Sequence, residues 1–278
     1  MLGIDIGGTK LLFASVKDGK IVKKVKYKIK HRGREEIVDK IVRMIKKFKQ
    51  RYVGIGVPGI VRNGRIVFAP NLRCLNNFEI SKFIEKECKV KVKVDNDANC
   101  FALGEYFRWK KSLVGITIGT GVGGGIVIDG SIYHGRGSAG EVGHMIIEYD
   151  GKRCSCGCKG CWEEYVSKRA FERESKILLG KKMEPKEIYL LAKNGNEIAI
   201  RIFNKIGKFI GVGLANIVKI LDPELIVIGG GISKAREFLI KPIKEELKRR
   251  LFIRPPKIVF GREDSVAFGA AMLWKVKS

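Results

Sequence analysis

No apolar run in the 278-residue sequence approaches the roughly 18 residues that a membrane-spanning helix needs. The opening segment, residues 1–6, carries an acidic side chain where a signal peptide would carry basic ones. No low-complexity tract or long linker interrupts the chain, and hydrophobic residues make up 45% of it. These features exclude a disordered or membrane-spanning protein, and we expect a soluble, cytoplasmic protein without a membrane partner.

Acidic residues are scarce, since 29 Asp and Glu stand against 55 Lys and Arg, for a formal net charge of +26. Basic surfaces attract phosphate backbones, so this charge raises nucleic acid as a partner. The lysines recur along the whole chain, however, on faces that we expect to be solvated, such as Lys46, Lys47 and Lys49. We therefore interpret the charge as that of a lysine-rich surface and expect no nucleic-acid partner.

Two glycine-rich segments of the chain resemble each other. Residues 4–7 match residues 116–119, and the Asp18-Gly19 pair matches Asp129-Gly130. At about 150 residues per domain, the length also suggests two domains. We predict an internal duplication into two similar domains whose glycine turns face one cleft. Chance similarity between two glycine-rich hairpins is the alternative.

Hydrophobic periodicity predicts the regular elements between these segments. Helical spacing extends over residues 35–49 and 97–109, and a short helix is predicted over 266–275. Short apolar or alternating runs predict strands over 52–57 and 90–94.

A strand over residues 226–228 runs into a third glycine segment, residues 229–231. Ser233 follows at a position suited to cap a helix that begins near Lys234. Pro242 is expected to end or kink that helix.

The first glycine turn, residues 5–10, reads Asp-Ile-Gly-Gly-Thr-Lys. Its successive backbone N–H groups lack Cβ hindrance, as an anion-binding loop requires, and Asp5 can position Mg²⁺. An ordinary hairpin turn is the alternative. The second glycine turn, residues 119–124, formally matches G-x-G-x-x-G. A strand pattern follows it instead of a helix, and no H-R-D, D-F-G or G-x4-G-K-[ST] segment occurs, which argues against Rossmann, protein-kinase and P-loop proteins.

The segment 95–99, Asp-Asn-Asp-Ala-Asn, lies where a predicted strand enters a predicted helix. One such side chain is enough to cap a helix. Two carboxylates and two amides offer more than a cap requires, because they can hold a hydroxylated substrate and accept its proton.

The cysteines are unevenly spread, with four of seven crowded into residues 154–161 and His144 ten residues before the first of them. Zinc takes four ligands, so three of these cysteines with His144, or the four cysteines alone, can supply a closed set. A closed set leaves no open position, which predicts a structural metal. Disulfides are disfavoured in a reducing compartment, and the isolated Cys74, Cys88 and Cys100 fit packing roles.

Taken in order, these segments resemble the ROK family of sugar kinases and sugar-responsive repressors, within the actin-like ATPase superfamily. The similarity extends over essentially the whole chain. It is carried by residues 5–10, 96–99, 119–124, 141–144, 154–163 and 229–231.

The resemblance implies an α/β, two-domain actin-like ATPase (ribonuclease H-like) fold with a structural zinc loop. A small N-terminal domain would cover residues 1–108, with the C-terminal helix 265–278 returning to it. A large domain, residues 109–264, would hold the zinc loop and the nucleotide side.

The resemblance also assigns roles to residues. Asp97 would be the catalytic base that accepts the proton of the sugar hydroxyl. The sugar would be bound by Gly59, Asn71, Asn96, Asp97, Glu141, His144 and Glu163. Mg²⁺ with ATP would be bound by Asp5, Gly7, Gly8, Thr9, Lys10, Gly119, Thr120, Gly121, Gly229, Gly230 and Gly231. Zinc would be held by His144, Cys154, Cys156 and Cys161, with Cys158 as a spectator.

The implied activity is transfer of the γ-phosphate of ATP to the 6-hydroxyl of a hexose. Glucose is the leading substrate, with N-acetylmannosamine, N-acetylglucosamine and fructose as alternatives. Relatives commonly carry a tryptophan shortly after the Pro70-Asn71 pair, and this chain has none there. The identity of the sugar therefore stays open. The phosphoryl donor, ATP, ADP or polyphosphate, stays open as well, because the glycine loops recognise phosphate generally. A homodimer is expected by resemblance.

A non-enzymatic sugar sensor or repressor is the alternative of another class. Such a protein would need a helix-turn-helix domain before the first strand. That strand is predicted from residue 2, which leaves no room for one, and the glycine turns with Asp97 favour the enzyme.

Overall fold

A computed structural model describes residues 1–29 and 33–276 of the chain. Its strands are β1 Leu2–Ile6, β2 Lys10–Lys17, β3 Lys20–Lys28, β4 Tyr52–Val57, β5 Ile60–Arg62, β6 Arg65–Phe68, β7 Lys91–Asn96, β8 Leu113–Ile118, β9 Val122–Ile128, β10 Ser131–Ile132, β11 Leu225–Gly229 and β12 Lys257–Phe260. Its helices are α1 Arg34–Phe48, α2 Ile80–Cys88, α3 Asp97–Trp109, α4 Glu163–Val166, α5 Lys168–Leu179, α6 Pro185–Lys193, α7 Glu197–Leu221, α8 Arg236–Arg250 and α9 Ser265–Met272. Within the described ranges, none of these helices is both long and apolar enough to cross a membrane.

The first sheet has the strand order β3-β2-β1-β4-β7. β1, β2 and β3 form an antiparallel meander, whereas β4 pairs in parallel with β1 and β7. All five residues of β1 are buried, as expected of a central strand covered on both faces. Five of the nine residues of the edge strand β3 are lysines, and such charges discourage pairing with other chains.

The second sheet has the order β10-β9-β8-β11-β12. The strands of this sheet are arranged like those of the first sheet. β9 and β10 lie on one side of β8, as β2 and β3 lie on one side of β1. The parallel pair β11 and β12 lies on the other side of β8, as β4 and β7 lie on the other side of β1. Matching strand orders are what an internal duplication predicts.

The chain divides into two compact units. Unit 1 comprises residues 1–115, 125–140 and 261–278, and unit 2 comprises residues 116–124 and 141–260. Two of the four divisions fall inside β8 and β9, and the others follow residues 140 and 260.

Helix α9 lies unusually close to strands β1 and β4 within unit 1. A Cβ built on Gly3 of β1 would lie 1.7 Å from the carbonyl oxygen of Ala267, and one on Gly54 of β4 would lie 1.8 Å from that of Ala270. Only glycine permits this approach of helix to sheet. The same helix lies against α3, where a Cβ on Gly269 would lie 1.7 Å from the carbonyl oxygen of Cys100.

Several predicted elements are found with nearly the predicted bounds, among them β4 and α3, and one detail is wrong. Ser233 does not cap a helix, because its hydroxyl donates to the carbonyl oxygen of Gly230 within a 3₁₀ turn, Gly231–Ala235. Of the two outcomes expected for Pro242, an end of the helix is excluded, since α8 continues to Arg250, and a kink stays a prediction. Residues 163–221, for which no element was predicted, contain the four helices α4 to α7.

Candidate active site

The first glycine turn follows β1 and is closed by a hydrogen bond from the Gly7 N–H to the Lys10 carbonyl, 2.9 Å long. Asp5 lies within β1, one residue before its end, and is buried. The Lys10 ammonium forms an ion pair with the Glu263 carboxylate at 3.2 Å. The same carboxylate pairs with Lys26 at 2.9 Å. A buried carboxylate therefore precedes a half-buried glycine turn, as expected for a phosphate and cation site.

The carboxyl group of Asp5 is a weaker acid than that of an ordinary aspartate. Burial, followed by the nearby carboxylate of Asp97, raises its pKa to about 7, against the smaller opposing effects of Lys10 and Lys26. Two carboxylates that share a weakly solvated environment repel each other. A bound cation would relieve that repulsion, because it stabilises both ionised groups.

Asp97 is the first residue of α3, where the helix dipole stabilises negative charge. Asn96 fixes this helix start: its side-chain oxygen accepts from the N–H groups of Ala98 at 2.8 Å and Asn99 at 3.2 Å. The Asn96 amide donates in turn to the Gly59 carbonyl at 2.9 Å. Gly59 itself has φ +105°, and a Cβ there would lie 2.0 Å from the Phe68 carbonyl oxygen. Asn96 is thus both a helix cap and a link to Gly59.

Asp95 and Asn99 complete the polar segment at the end of β7. One oxygen of Asp95 accepts from the Asn96 N–H at 2.7 Å and from the Asn99 amide at 2.9 Å. The other oxygen lies 2.8 Å from Nε2 of His134. These two residues support the segment, and Asn96 and Asp97 are left as its candidates for substrate contact.

Asn71 lies beside the first glycine turn, since a Cβ on Gly8 would lie 3.7 Å from that of Asn71. In unit 1 the structure therefore groups Asn71 with the turn and Asn96 with Gly59. Thr9 of the first turn, Thr120 of the second turn and Glu141 have exposed side chains.

The second glycine turn contacts Glu163 in unit 2. One oxygen of Glu163 accepts from the Val122 N–H at 2.8 Å, and a Cβ on Gly121 would lie 2.4 Å from that oxygen. The other oxygen accepts from Arg169 at 2.6 Å. A side chain at residue 121 would therefore displace this carboxylate oxygen.

The third glycine segment lies beside the end of β8. Gly230 has φ +81°, and a Cβ there would lie 2.2 Å from the carbonyl oxygen of Ile118. Ile118 immediately precedes the second glycine turn, so the structure brings these two segments together in unit 2.

His144, Cys154, Cys156 and Cys161 form one cluster, in which every potential ligand atom lies within 4.8 Å of the others. Nδ1 of His144 is 3.7 Å from Sγ of Cys154, and Sγ of Cys156 is 3.6 Å from that of Cys161. Cys158 is not part of the cluster. Three thiols and one imidazole at these separations form a candidate metal centre.

Trp162 anchors the end of the cysteine loop. The indole is fully buried and lies against Gly213 of α7, where a Cβ would approach it to 2.1 Å. Its Nε1 donates to the Phe209 carbonyl at 2.8 Å. Cys161 and Glu163, on either side of Trp162, are held in place by this contact.

Sequence reasoning missed Arg169, His134 and the backbone N–H of Val122. Arg169 is one of two arginines on the amphipathic helix α5, and His134 is 39 residues from its partner Asp95. No local pattern marks either pair. The glycine at residue 121 was noted, but a carboxylate contact was not inferred from it.

Two sheets of matching strand order, each with a glycine turn after a central strand, define an α/β protein of the actin-like ATPase fold. The ROK family profile matches residues 1–277, and the chain belongs to the ROK family.

Relatives and solved structures agree with this assignment. The chain is 33% identical to a glucokinase of Thermotoga maritima, over 99% of this chain and 97% of that protein. It is also 33% identical to an N-acetyl-D-glucosamine kinase of Histophilus somni, over 90% of this chain and 89% of that protein. The structure is similar to a ROK family glucokinase from Streptomyces griseus in complex with glucose and AMPPNP, with TM-score 0.84, 33% identity and 98% coverage of both chains.

Proposed function

We propose that this protein is an ATP-dependent hexose kinase whose substrate is glucose. The observation that carries the proposal is the position of Asp97 in the first turn of α3, close enough to the buried Asp5 to raise its pKa. The preceding residue, Asn96, is held by its hydrogen bond to the Gly59 carbonyl. A carboxylate at a fixed helix start can accept a hydroxyl proton, and a glycine turn can bind phosphate. The glucokinases among the relatives support glucose as the acceptor.

In the proposed reaction the 6-hydroxyl oxygen attacks the γ-phosphorus of ATP while its proton passes to a carboxylate oxygen of Asp97. A new P–O bond forms, the bond between the γ-phosphorus and the β,γ-bridging oxygen breaks, and ADP leaves with that electron pair. Asn96 orients the sugar. The remaining hydroxyls are assigned to Glu141, His144 and Glu163, together with Gly59 and Asn71.

The acidic residues of unit 1 fit Mg²⁺. Asp5 is buried, and its pKa is raised by burial and by Asp97, so a divalent cation would stabilise the ionised form of both groups. When bound with ATP, Mg²⁺ supplies neutralisation of the phosphate charge. Backbone N–H groups at Gly8 and Gly121 are proposed to donate to phosphate oxygens, while the N–H groups of Gly7 and Gly119 close the two turns through the carbonyls of Lys10 and Gly121. Residues 229–231 are proposed to contact the nucleoside.

The cysteine cluster fits zinc. Tetrahedral zinc with Zn–S bonds near 2.3 Å separates two sulfurs by about 3.8 Å, and the Cys156 and Cys161 sulfurs are 3.6 Å apart. Three thiolates and one imidazole form a full ligand set, which is typical of structural zinc. When bound, the metal would stabilise the loop around it.

His144 can serve both the metal and the sugar. Its Nδ1 faces Cys154 in the cluster, so Nε2 is the ring atom available to a sugar hydroxyl. Fixing Nδ1 on a metal also fixes the orientation of the ring.

The domain bounds 1–108 and 109–264, the cytoplasmic location and the homodimer stay predictions. Light scattering on purified protein tests the last of these, because a dimer doubles the mass of 31.1 kDa.

A phosphorylation assay with ATP and Mg²⁺ tests the proposal across glucose, mannose, fructose, N-acetylglucosamine and N-acetylmannosamine. We expect kcat/KM to be highest for glucose. A higher value for N-acetylglucosamine would keep the kinase and change its substrate. Zinc-loaded, folded protein without turnover on any sugar would overturn the proposal.

A further inference from the structure

Arg169, near the start of α5, lies between two neighbouring carboxylates. Its Nη2 is 2.6 Å from Oε1 of Glu163 and 2.7 Å from Oε1 of Glu164. The two glutamate side chains are only 12% and 7% exposed, whereas that of Arg169 is 43% exposed. One guanidinium therefore reaches inward from the surface to two adjacent buried acids.

Glu163 is held from both sides. Arg169 donates to Oε1, and the Val122 N–H donates to Oε2. Because residue 121 is a glycine, no side chain displaces Oε2. The carboxylate cannot rotate without breaking one of these charge-assisted hydrogen bonds. Each oxygen keeps a second lone pair, so the fixed carboxylate can still accept hydroxyl donors.

The same geometry has an electrostatic consequence. Glu163 is one hydrogen bond from the backbone of the second glycine turn, residues 119–124, and its negative charge opposes the binding of phosphate there. The guanidinium bound to Oε1 offsets that charge. Glycine turns bind phosphate through weak backbone dipoles, so a nearby uncompensated carboxylate would reduce their affinity for it.

We infer that Arg169 is a positioning residue that holds the Glu163 carboxylate toward the sugar and compensates its charge beside the second glycine turn. This inference rests on the proposed function, because it takes Glu163 as a sugar ligand and the turn as a phosphate site. It predicts that one surface arginine affects the KM values of both substrates while contacting neither.

A purely structural role would act through Glu164 instead. That carboxylate shares Arg169, and its backbone carbonyl also accepts from Arg173. Glu164→Gln weakens the pairing with Arg169 and leaves both hydrogen bonds of Glu163 in place. The variant therefore separates support of the helix from positioning of Glu163.

The experiment measures KM for glucose, KM for ATP, kcat and Tm in wild type, Arg169→Met, Arg169→Lys, Glu164→Gln and Lys168→Met. Lys168 is a matched control, since it is the preceding residue and pairs with Glu172 and Glu184. For Arg169→Met we expect both KM values to rise about tenfold, the size of one lost charged hydrogen bond, with kcat changed less. Arg169→Lys should recover part of the loss, because lysine restores the charge without the planar fork.

Glu164→Gln and Lys168→Met should keep wild-type KM values. Unchanged KM values in folded Arg169→Met, or the same KM rise in Glu164→Gln, would overturn the inference. If Arg169→Met does not fold, the KM values of Arg169→Lys decide the question, and wild-type values there contradict it. An active wild type with an unaffected Arg169→Met overturns this inference alone, whereas a wild type without turnover overturns the proposed function as well.

Discussion

His134 Nε2 lies 2.8 Å from Oδ2 of Asp95. This contact joins the segment after β10 to the end of β7, the strand that delivers Asn96 and Asp97 to the start of α3. The other oxygen of Asp95 accepts from the Asn96 N–H and the Asn99 amide. A half-exposed histidine therefore supports the local structure from which the proposed base extends.

The stability contributed by His134 should depend on pH. The hydrogen bond to Asp95 raises the pKa of His134 above its usual 6.5, against the opposing effect of burial. A raised folded pKa gives stability that is fully present below pH 6.5 and is lost as the pH rises through the folded pKa. Tm measured from pH 5.5 to about 9 should show His134→Gln less stable than wild type at the acidic end and nearly equal to it at the alkaline end. A Tm difference that does not change with pH would contradict the ion pair.

Asp5→Asn should stabilise the metal-free, nucleotide-free protein. Because burial and Asp97 raise the pKa of Asp5 to about 7 from 3.8, stability is lost as the pH rises between these values. The loss amounts to on the order of 4 kcal/mol above pH 7. Urea unfolding at pH 8 should therefore show the variant more stable than wild type, and unfolding at pH 4 should show little difference. Greater stability of the wild type at pH 8, with chelator present, would contradict the buried carboxylate, and we expect the variant to lose kinase turnover.

Cys161→Ser should abolish zinc binding, whereas Cys158→Ser should retain it. Cys161 is fully buried in the cluster with His144, and Cys158 is exposed and outside it. Elemental analysis after dialysis should find one zinc per chain in wild type and Cys158→Ser, and none in Cys161→Ser. Zinc retained in Cys161→Ser and lost from Cys158→Ser would assign the ligands differently.

Glu105→Ala should destabilise unit 1. Glu105 is fully buried in α3 and accepts from the Arg262 N–H at 2.9 Å, the Ser265 hydroxyl at 2.5 Å and the Trp109 indole at 3.2 Å. Its loss leaves three donors without their acceptor and a cavity, at a cost of about 3 kcal/mol. Chemical unfolding provides the measurement, with exposed Glu87→Ala as the control. Equal unfolding free energies for the two variants would show that these hydrogen bonds do not hold α3 to the C-terminal segment.

The sequence predicted the parts of the fold that local patterns encode. Periodicity placed α3 and β4. The repeat of a glycine turn between strands predicted an internal duplication, and the two sheets of matching strand order agree with it. The Ser233 cap was wrong because the local rule assumes a conventional helix start, and of the two outcomes expected for Pro242 an end of the helix is excluded. The 3₁₀ turn before α8 uses the Ser233 hydroxyl as a donor, and the proline lies well inside the helix.

The site was predictable where ligands are close in sequence and was missed where contacts are distant. The Cys154–Cys161 spacing and the His144 nearby were enough to propose a metal centre. Arg169 and His134 could not be found, because their importance depends on Glu163 and Asp95 being brought beside them by tertiary structure. The sequence around an acidic residue does not indicate which cationic side chain will pair with it.

The central claim is that Asp97 is the base of an ATP-dependent hexose kinase. Its most direct test combines transfer of the terminal phosphate of labelled ATP to glucose with calorimetric glucose binding, in wild type and Asp97→Asn. We expect label on the 6-hydroxyl in wild type and loss of turnover by about a hundredfold or more in the variant, the usual contribution of a general base. Glucose affinity should stay within a few-fold, since the amide keeps one acceptor oxygen. An Asp97→Asn protein that transfers phosphate at a rate close to wild type would contradict the account.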